Sequence, residues 1–343
     1  MIQSRVTMII HTKTLRFKHY LAIFLQFSPF LVLFSPISAS ARGFRLEGTT
    51  ESFAIRGPII EDEDISGIAR GEDHIGIIVS DEGSVIQSLA FLPDGSGASI
   101  RAAIDLAPGA KDELDAEGST YYNGKFYVTG SHGVSRKKGK LQASRYGVFR
   151  FGVGPEGRGA TGLQRASLGG VLGGDPVLGA YHQKPLQERG LNIEGLAAKE
   201  GQLYFGLRAP NIDGDSFVIE VGADALFGSD SPKYERHALA LGAGLGIRDL
   251  AATDDGFLLI AGNAGPDSSD DFPETTDHIK GLGYTLFFWR PGSDPVAVGK
   301  LPDVGAKAEA LLVLEESAES IEILILSDGI AGGAPLRLTV VKS

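Results

Sequence analysis

Leu191 to Pro210, LNIEGLAAKEGQLYFGLRAP, reads as one β-hairpin, and it decides the fold because its layout returns four more times along the chain. Ile193-Glu194-Gly195-Leu196-Ala197 is a short strand, and Lys199-Glu200-Gly201 is a polar turn with glycine for a left-handed backbone. Gln202 to Leu207 is a second strand of β-forming residues. The copies are Asp64 to Glu82, Asp115 to His132, Gly246 to Asn263 and Lys307 to Gly329. Their equivalent positions are Ser66, Glu117, Glu194, Arg248 and Glu309, at intervals of 51, 77, 54 and 61 residues. Four-stranded propeller blades repeat every ~40 to 50 residues, so three of the intervals need only longer loops and the 77-residue one contains an insertion.

The remaining strands of each unit can be placed by the same β-forming runs. They are Ser84 to Leu92 and Ala98 to Leu106, then Tyr146 to Val153, then Ser216 to Val221 and Arg236 to Leu241. Tyr284 to Arg290 and Pro295 to Leu301 follow, and Pro335 to Val341 is the last. The fifth unit runs out one strand short, which would leave an open sheet edge. Phe44 to Ile55 is a strand-like run without a blade of its own, and it is expected to close the ring against the C-terminal strand. The expected fold is all-β, a propeller of five four-stranded blades. The alternative is six blades, if the Gly-rich insertion Leu163 to Gly190 hides a degenerate one; otherwise that insertion is a long loop or lid. Helix is expected only as a single turn near Asp224 to Phe227.

Residues 1–41 read as a signal peptide: Arg5, Lys13, Arg16 and Lys18 precede an apolar run from Leu21 to Ile37, and Ala39-Ser40-Ala41 follows. Residues 42–343 would then be a single propeller domain, periplasmic or secreted, with no transmembrane segment. Taking the leader's four basic residues from the chain's 32 leaves 28 against 43 acidic, a net charge of −15. Such a surface repels nucleic acid and anionic lipid and suits divalent cations. With no cysteine in 343 residues, disulfides, thiolate metal sites and cysteine nucleophiles are excluded.

Together with the leader, the motifs LNIEGLA, GLRAP and LGIRDLA resemble a family of secreted bacterial β-propellers described as a domain of unknown function, over about residues 60 to 330. That resemblance implies fold and compartment. More distantly, the ring of acidic strand residues is similar to the phytase-like propeller domains, which implies a calcium-bearing, carboxylate-rich face acting on phosphate esters.

Innermost strands of a propeller surround a central channel, so the five equivalent positions should meet at one level. Three carboxylates and a guanidinium there need compensation. One reading is a structural network in which Arg248 pairs with the glutamates. A second is a hard divalent cation, calcium, held by Glu117, Glu194 and Glu309. A third uses the glutamates as acid and base, with His132 as a further catalytic candidate. Where the next strands end, Asp81-Glu82, Ser131-His132, Arg208, Asn263 and Asp328 should form a second polar ring at the mouth. The plain reading is strand caps; the functional one is an anion pocket in which Arg208 and Arg248 meet His132, with Ser131, Asn263 and Asp328 as further ligand contacts. Asn211 to Ser216 carries a fragment of a calcium-loop pattern but reads as a hairpin turn. Pro266 to His278 and Arg136 to Lys140 read as solvated loops. No GxSxG, HExxH, Walker A or strand-bound GxGxxG motif occurs. Two functions stay open: a binding or scaffold module using the channel and top face for a small-molecule or anionic ligand, and a calcium-dependent hydrolase of phosphate or other esters.

Overall fold

The computed structural model describes residues 43–48, 52–135, 139–266, 279 and 281–343. The leader, the basic residues 136–138 and nearly all of the acidic loop 267–278 lie outside the described residues. Strands β1 (Phe44–Gly48) and β2 (Ala54–Arg56) precede the first blade, which is β3 (Ile65–Arg70), β4 (Ile75–Ser80), β5 (Val85–Phe91) and β6 (Gly97–Asp105). The second blade is β7 (Ala116–Tyr122), β8 (Lys125–Gly130), β9 (Val148–Val153) and β10 (Ala160–Ala166). The third is β11 (Asn192–Lys199), β12 (Gln202–Ala209), β13 (Asp215–Gly222) and β14 (Tyr234–Ala240). The fourth is β15 (Leu245–Ala252), β16 (Phe257–Asn263), β17 (Thr285–Trp289) and β18 (Val296–Lys300). The fifth is β19 (Lys307–Glu316), β20 (Ser320–Asp328) and β21 (Leu336–Lys342).

Within every blade the strands pair antiparallel in sequence order, with β3, β7, β11, β15 and β19 innermost, each beside the next around the ring. The hairpin turn of the quoted stretch has positive φ at Glu200 (51°) and Gly201 (81°), the backbone that a two-residue hairpin demands. Ring closure is as the sequence predicts: β1 pairs antiparallel with β21, from Phe44 opposite Lys342 to Gly48 opposite Leu338. Phe44 also stacks on Phe288 of the fourth blade at 4.2 Å between ring centroids, which ties the closing strand to its neighbour. The run to Ile55 is not one strand, however. β2 leaves the fifth blade and adds to the outer edge of the first by parallel pairing with β6.

Two further corrections concern the insertion. Its first residues, Leu163 to Ala166, belong to β10, the outer strand of the second blade, so the ring has five blades and the six-bladed alternative does not occur. The rest holds a short helix α1 (Gly169–Gly174) and 3-10 turns at Leu178–Ala180 and Leu186–Glu188. Leu168, Leu172 and Leu178 anchor it by burial between the second and third blades. A second short helix, α2 (Ala223–Leu226), falls where one turn was expected.

The core is distributed. Five apolar clusters each lie between two successive blades, for example Ile77, Val79, Phe126 and Phe151 between the first and second. A chain of 343 residues without a disulfide is thereby held by many medium-sized cores rather than one large one.

Candidate functional site

The inner strands share an irregularity that builds the site. In each, the pairing register with the second strand slips across the equivalent position. The slip falls between Ile65 and Gly67, Ala116 and Ser119, Ile193 and Gly195, Ile247 and Asp249, and Ala308 and Ala310. Ser66, Glu117, Glu194, Arg248 and Glu309 are thus bulge residues, left out of the ladder, and a bulge is a device for re-aiming a side chain. All five are buried.

The charges at this level are interlocked around Glu194. Arg208 Nη1 donates to Glu194 Oε1 at 2.8 Å, while Arg248 Nε lies 2.8 Å from Glu194 Oε2 as an ion pair without hydrogen-bond alignment. Arg248 Nη2 pairs with Glu309 Oε1, and Nη1 reaches the Asn263 carbonyl at 3.4 Å. Arg208 Nη2 donates to the Gly265 carbonyl at 3.0 Å. Ser66 Oγ donates to the Ala116 carbonyl at 2.8 Å, stitching the first blade to the second. The structural-network reading therefore describes Glu194, Glu309 and both arginines. Glu117 is outside it: no protein group among the described residues hydrogen-bonds its buried carboxyl. Burial first, then the charges of Asp115, Glu194 and Asp81, push that carboxyl well above the usual range, with Arg248 acting against them.

Above the bulges lies a polar cavity of about 90 Å³ at the channel mouth. Its lining brings together Glu117, Glu194, Glu309, Arg208 and Asp328 with residues not singled out from the sequence, namely Asp115, Asn192 and Lys307 of the inner strands and Arg145 from the segment before β9. Lys307 Nζ pairs with Asp328 at 2.5 Å and Arg145 Nη1 with Asp115 at 2.6 Å. Asp81, from the second ring, also lines it. Asp81 Oδ1 is buried without a hydrogen-bond partner, and its pKa is pushed up to about 8, by burial foremost and then by Asp115, Asp328, Asp64 and Glu82. The mouth thus holds two carboxyls, Asp81 and Glu117, that form no ion pair among the described residues, although Arg248 and Arg145 act on Glu117 at longer range.

The second ring is only partly at the cavity, and the anion pocket does not assemble. His132 is fully buried away from it; its Nδ1 lies 3.0 Å from the Gly130 carbonyl of β8 and its Nε2 accepts from Leu168 N–H at 3.1 Å, so one nitrogen is used by local backbone and the other holds the insertion. Burial pulls its pKa down to about 4, which makes the imidazole neutral. Arg208 and Arg248 converge on Glu194 instead of on His132. Ser131 caps the turn at Gly133 through a 3.0 Å bond and also bonds Asp115, and Asn263 clamps the backbone of Ile279 at 2.6 and 3.1 Å. Neither lines the cavity. Asn211 to Ser216 is a turn, its Asn211 side chain bonding backbone at Gly214, Gly242, Gly244 and Leu245.

Beneath the bulges sits Asp249, which sequence reading passed over. Its Oδ1 accepts from Leu250 N–H at 2.8 Å, its Oδ2 from Leu311 N–H at 2.7 Å, and Leu196 N–H also bonds it. One buried carboxyl therefore joins backbone of three blades, and burial raises its pKa well above the usual range. The equivalent residues Gly67, Gly118 and Gly195 explain the space: a Cβ on Gly118 would come within 2.7 Å of Leu196 N and one on Gly67 within 2.8 Å of the Glu117 carbonyl. Asp249 and Ala310 stand where the other three inner strands have glycine, and the charged one of the two was the available signal. The missed mouth residues have a signal too. Asn192 and Lys307 open their inner strands and Asp115 directly precedes β7, each two residues before a marked position.

A family model described as "Protein of unknown function (DUF3616)" matches residues 64–148 and 158–267, most of the first four blades. The chain belongs to that family. The match spans the inner strands carrying Glu117, Glu194 and Arg248, in keeping with the resemblance read from LNIEGLA and LGIRDLA. No curated protein matches this member of the family. Among solved structures it is similar to glutaminyl cyclase of Myxococcus xanthus, at 11% identity over 85% of this chain and 99% of that one, with a TM-score of 0.45. It is also similar to the PQQ-bound aldose sugar dehydrogenase of Streptomyces coelicolor (11%, 88% and 98%, 0.43) and the periplasmic gluconolactonase of Pseudomonas aeruginosa (12%, 80% and 88%, 0.40). At such identities their activities do not carry over. Among the described residues no helix is long and apolar enough to cross a membrane.

Proposed function

We propose that this protein is an exported binding module whose site is the mouth of the central channel, and that the site takes a hard divalent cation, calcium, or a small ligand held through it. The observation that carries the reading is the lining of one polar cavity by Asp81, with a buried carboxyl oxygen that has no hydrogen-bond partner, and by Glu117, which forms no ion pair among the described residues. Buried carboxyls without a partner either keep their protons or take a cation, and a donor set of oxygens alone suits calcium. The ligand set is revised from the sequence reading: Glu194 and Glu309 already serve Arg208 and Arg248, so Asp81 and Glu117 become the ligands, with Asp115 and Asp328 at the rim. Export rests on the leader pattern of residues 1–41.

Calorimetry on chelator-stripped protein tests the site. Calcium should bind wild type with a stoichiometry of one and bind D81N and E117Q at least about ten-fold more weakly, a loss near 1.4 kcal/mol. Stripped protein that neither binds calcium nor changes its melting temperature in excess calcium would refute the cation. For export, fractionation and N-terminal sequencing should find the chain outside the cytoplasm beginning at Arg42; a cytoplasmic chain that retains its first residues would refute it.

A further inference from the structure

A second cluster lies on the third blade and takes no part in the channel. Strands β13 and β14 pair so that Glu220 stands directly opposite Glu235 and Val218 opposite His237. Opposite residues of an antiparallel pair share a face, and so do residues two apart, which puts both glutamates and His237 on one face. Like charges directly opposite one another destabilise a sheet unless something lies between them. Among the described residues, neither glutamate has a lysine or arginine partner. What lies between them is His237, its Nε2 2.8 Å from Glu220 Oε2 and its Nδ1 3.7 Å from Glu235 Oε1.

One donor atom from each of the three side chains lies within 4.8 Å of the others. One ion at ~2.0 to 2.2 Å would take a single ring nitrogen, so the carboxylate now at the other nitrogen has to swing across to join it, a move open to the exposed Glu235. The surroundings are those of a supported metal centre. Tyr204, opposite Glu220 on β12, hydrogen-bonds the Glu220 carboxylate, the kind of outer contact that orients a metal-bound carboxylate. The His237 ring packs edge-on against Trp289 of the fourth blade at 5.2 Å, which restricts its rotation. The histidine and Glu220 side chains are 9% and 21% exposed and that of Glu235 is 71% exposed, so the cluster is closed on the blade side and open to water at Glu235.

We propose that Glu220, Glu235 and His237 form a site for a borderline divalent cation of the zinc class, with water completing the coordination. The nitrogen ligand sets this site apart from an oxygen-only one, because imidazole favours zinc, nickel and copper over calcium. The inference is independent of the channel reading and shares no residue with it.

Trp289, the one tryptophan of the chain, supplies a local probe. Copper or nickel bound at His237 should quench its fluorescence. The experiment titrates copper into the untagged chain with calcium in excess, then adds zinc. The expected result is saturable quenching at one ion per chain, reversed by zinc, with affinity at least ten-fold lower in H237Q and in E235Q. E235Q removes an exposed carboxylate, so it remains a fair test even if H237Q fails to fold. Quenching that does not saturate, that zinc does not reverse, or that is unchanged in E235Q would overturn the proposal and leave the trio as an ion pair.

Discussion

The two ends of the channel are made by the same five strands and differ in character. At the mouth stand the bulge residues Ser66, Glu117, Glu194, Arg248 and Glu309, under a polar cavity. Two residues further along each strand come Ile68, Ser119, Leu196, Leu250 and Leu311, which line the narrow cleft at the other end, with Leu312 and Val313 beside them. The change from mostly charged to mostly aliphatic side chains at these positions happens across one bulge and one plug, the buried Asp249. The same backbone geometry can thus seal a ring and present a site, because the extra bulge residue is freed from ladder pairing while its successors return to it.

The strongest challenge to this contrast is to make the mouth apolar as well. Arg248→Met leaves Glu309 buried without its cation and Glu194 with Arg208 alone, which should cost about 3 to 5 kcal/mol in urea unfolding. Adding E309Q, with Glu194 kept for Arg208, should recover part of that loss. If R248M alone is as stable as wild type, the arginine is not what compensates the mouth.

Removing the plug should come next in size. Asp249→Ala deprives the N–H groups of Leu250 and Leu311 of their acceptor, at about 1 to 3 kcal/mol for each buried group left unsatisfied. Slower unfolding or unchanged stability would show that the two ends do not depend on Asp249.

The pH response sharpens the contrast with a smaller effect. Asp81 has its folded pKa raised from 3.8 to about 8, so its stabilising contribution is complete below pH ~4 and is lost as pH rises through 8. With chelator present, melting temperature should fall across that window more steeply for wild type than for D81N, the variants differing by several degrees at pH 8. Calcium should remove most of the difference, since it favours the ionised form. Parallel profiles for the two proteins would place Asp81 in water rather than in the site.

The smallest expected effect is at a residue that the sequence pointed to and the structure moved aside. Asn263→Ala frees the backbone of Ile279 but touches nothing in the cavity, so calcium affinity should stay within about two-fold, a change of less than ~0.5 kcal/mol. A ten-fold loss in calorimetry would mean that the site extends to the loop after β16.

Much of the fold was legible because a repeat states the same local message five times. Turn glycines, β-forming runs and the spacing of the marked positions were enough for the blades and their innermost strands. An unpaired last strand was enough for the closing strand, though not for the division of Phe44 to Ile55 into β1 and β2. The site was half legible. Glu117, Glu194, Arg248 and Glu309 do meet, since equivalent positions of inner strands must. His132, Ser131 and Asn263 were placed at the mouth by their position at strand ends, but loop backbone there competes for the same polar atoms and takes them.

By itself, the sequence determined an all-β ring of five units, its closure and the convergence of four charged side chains, because these follow from periodicity and from a shared axis. Only the tertiary structure decided which carboxyls are neutralised and which stand alone. That choice depends on distances between residues of different blades. Arg208 and Arg248 lie against Glu194 and Glu309, Arg145 against Asp115, and Lys307 against Asp328, which leaves Asp81 and Glu117 without an ion pair among the described residues. Pairing between charges falls off over a few ångströms in a buried site, and separation along a chain carries no record of it.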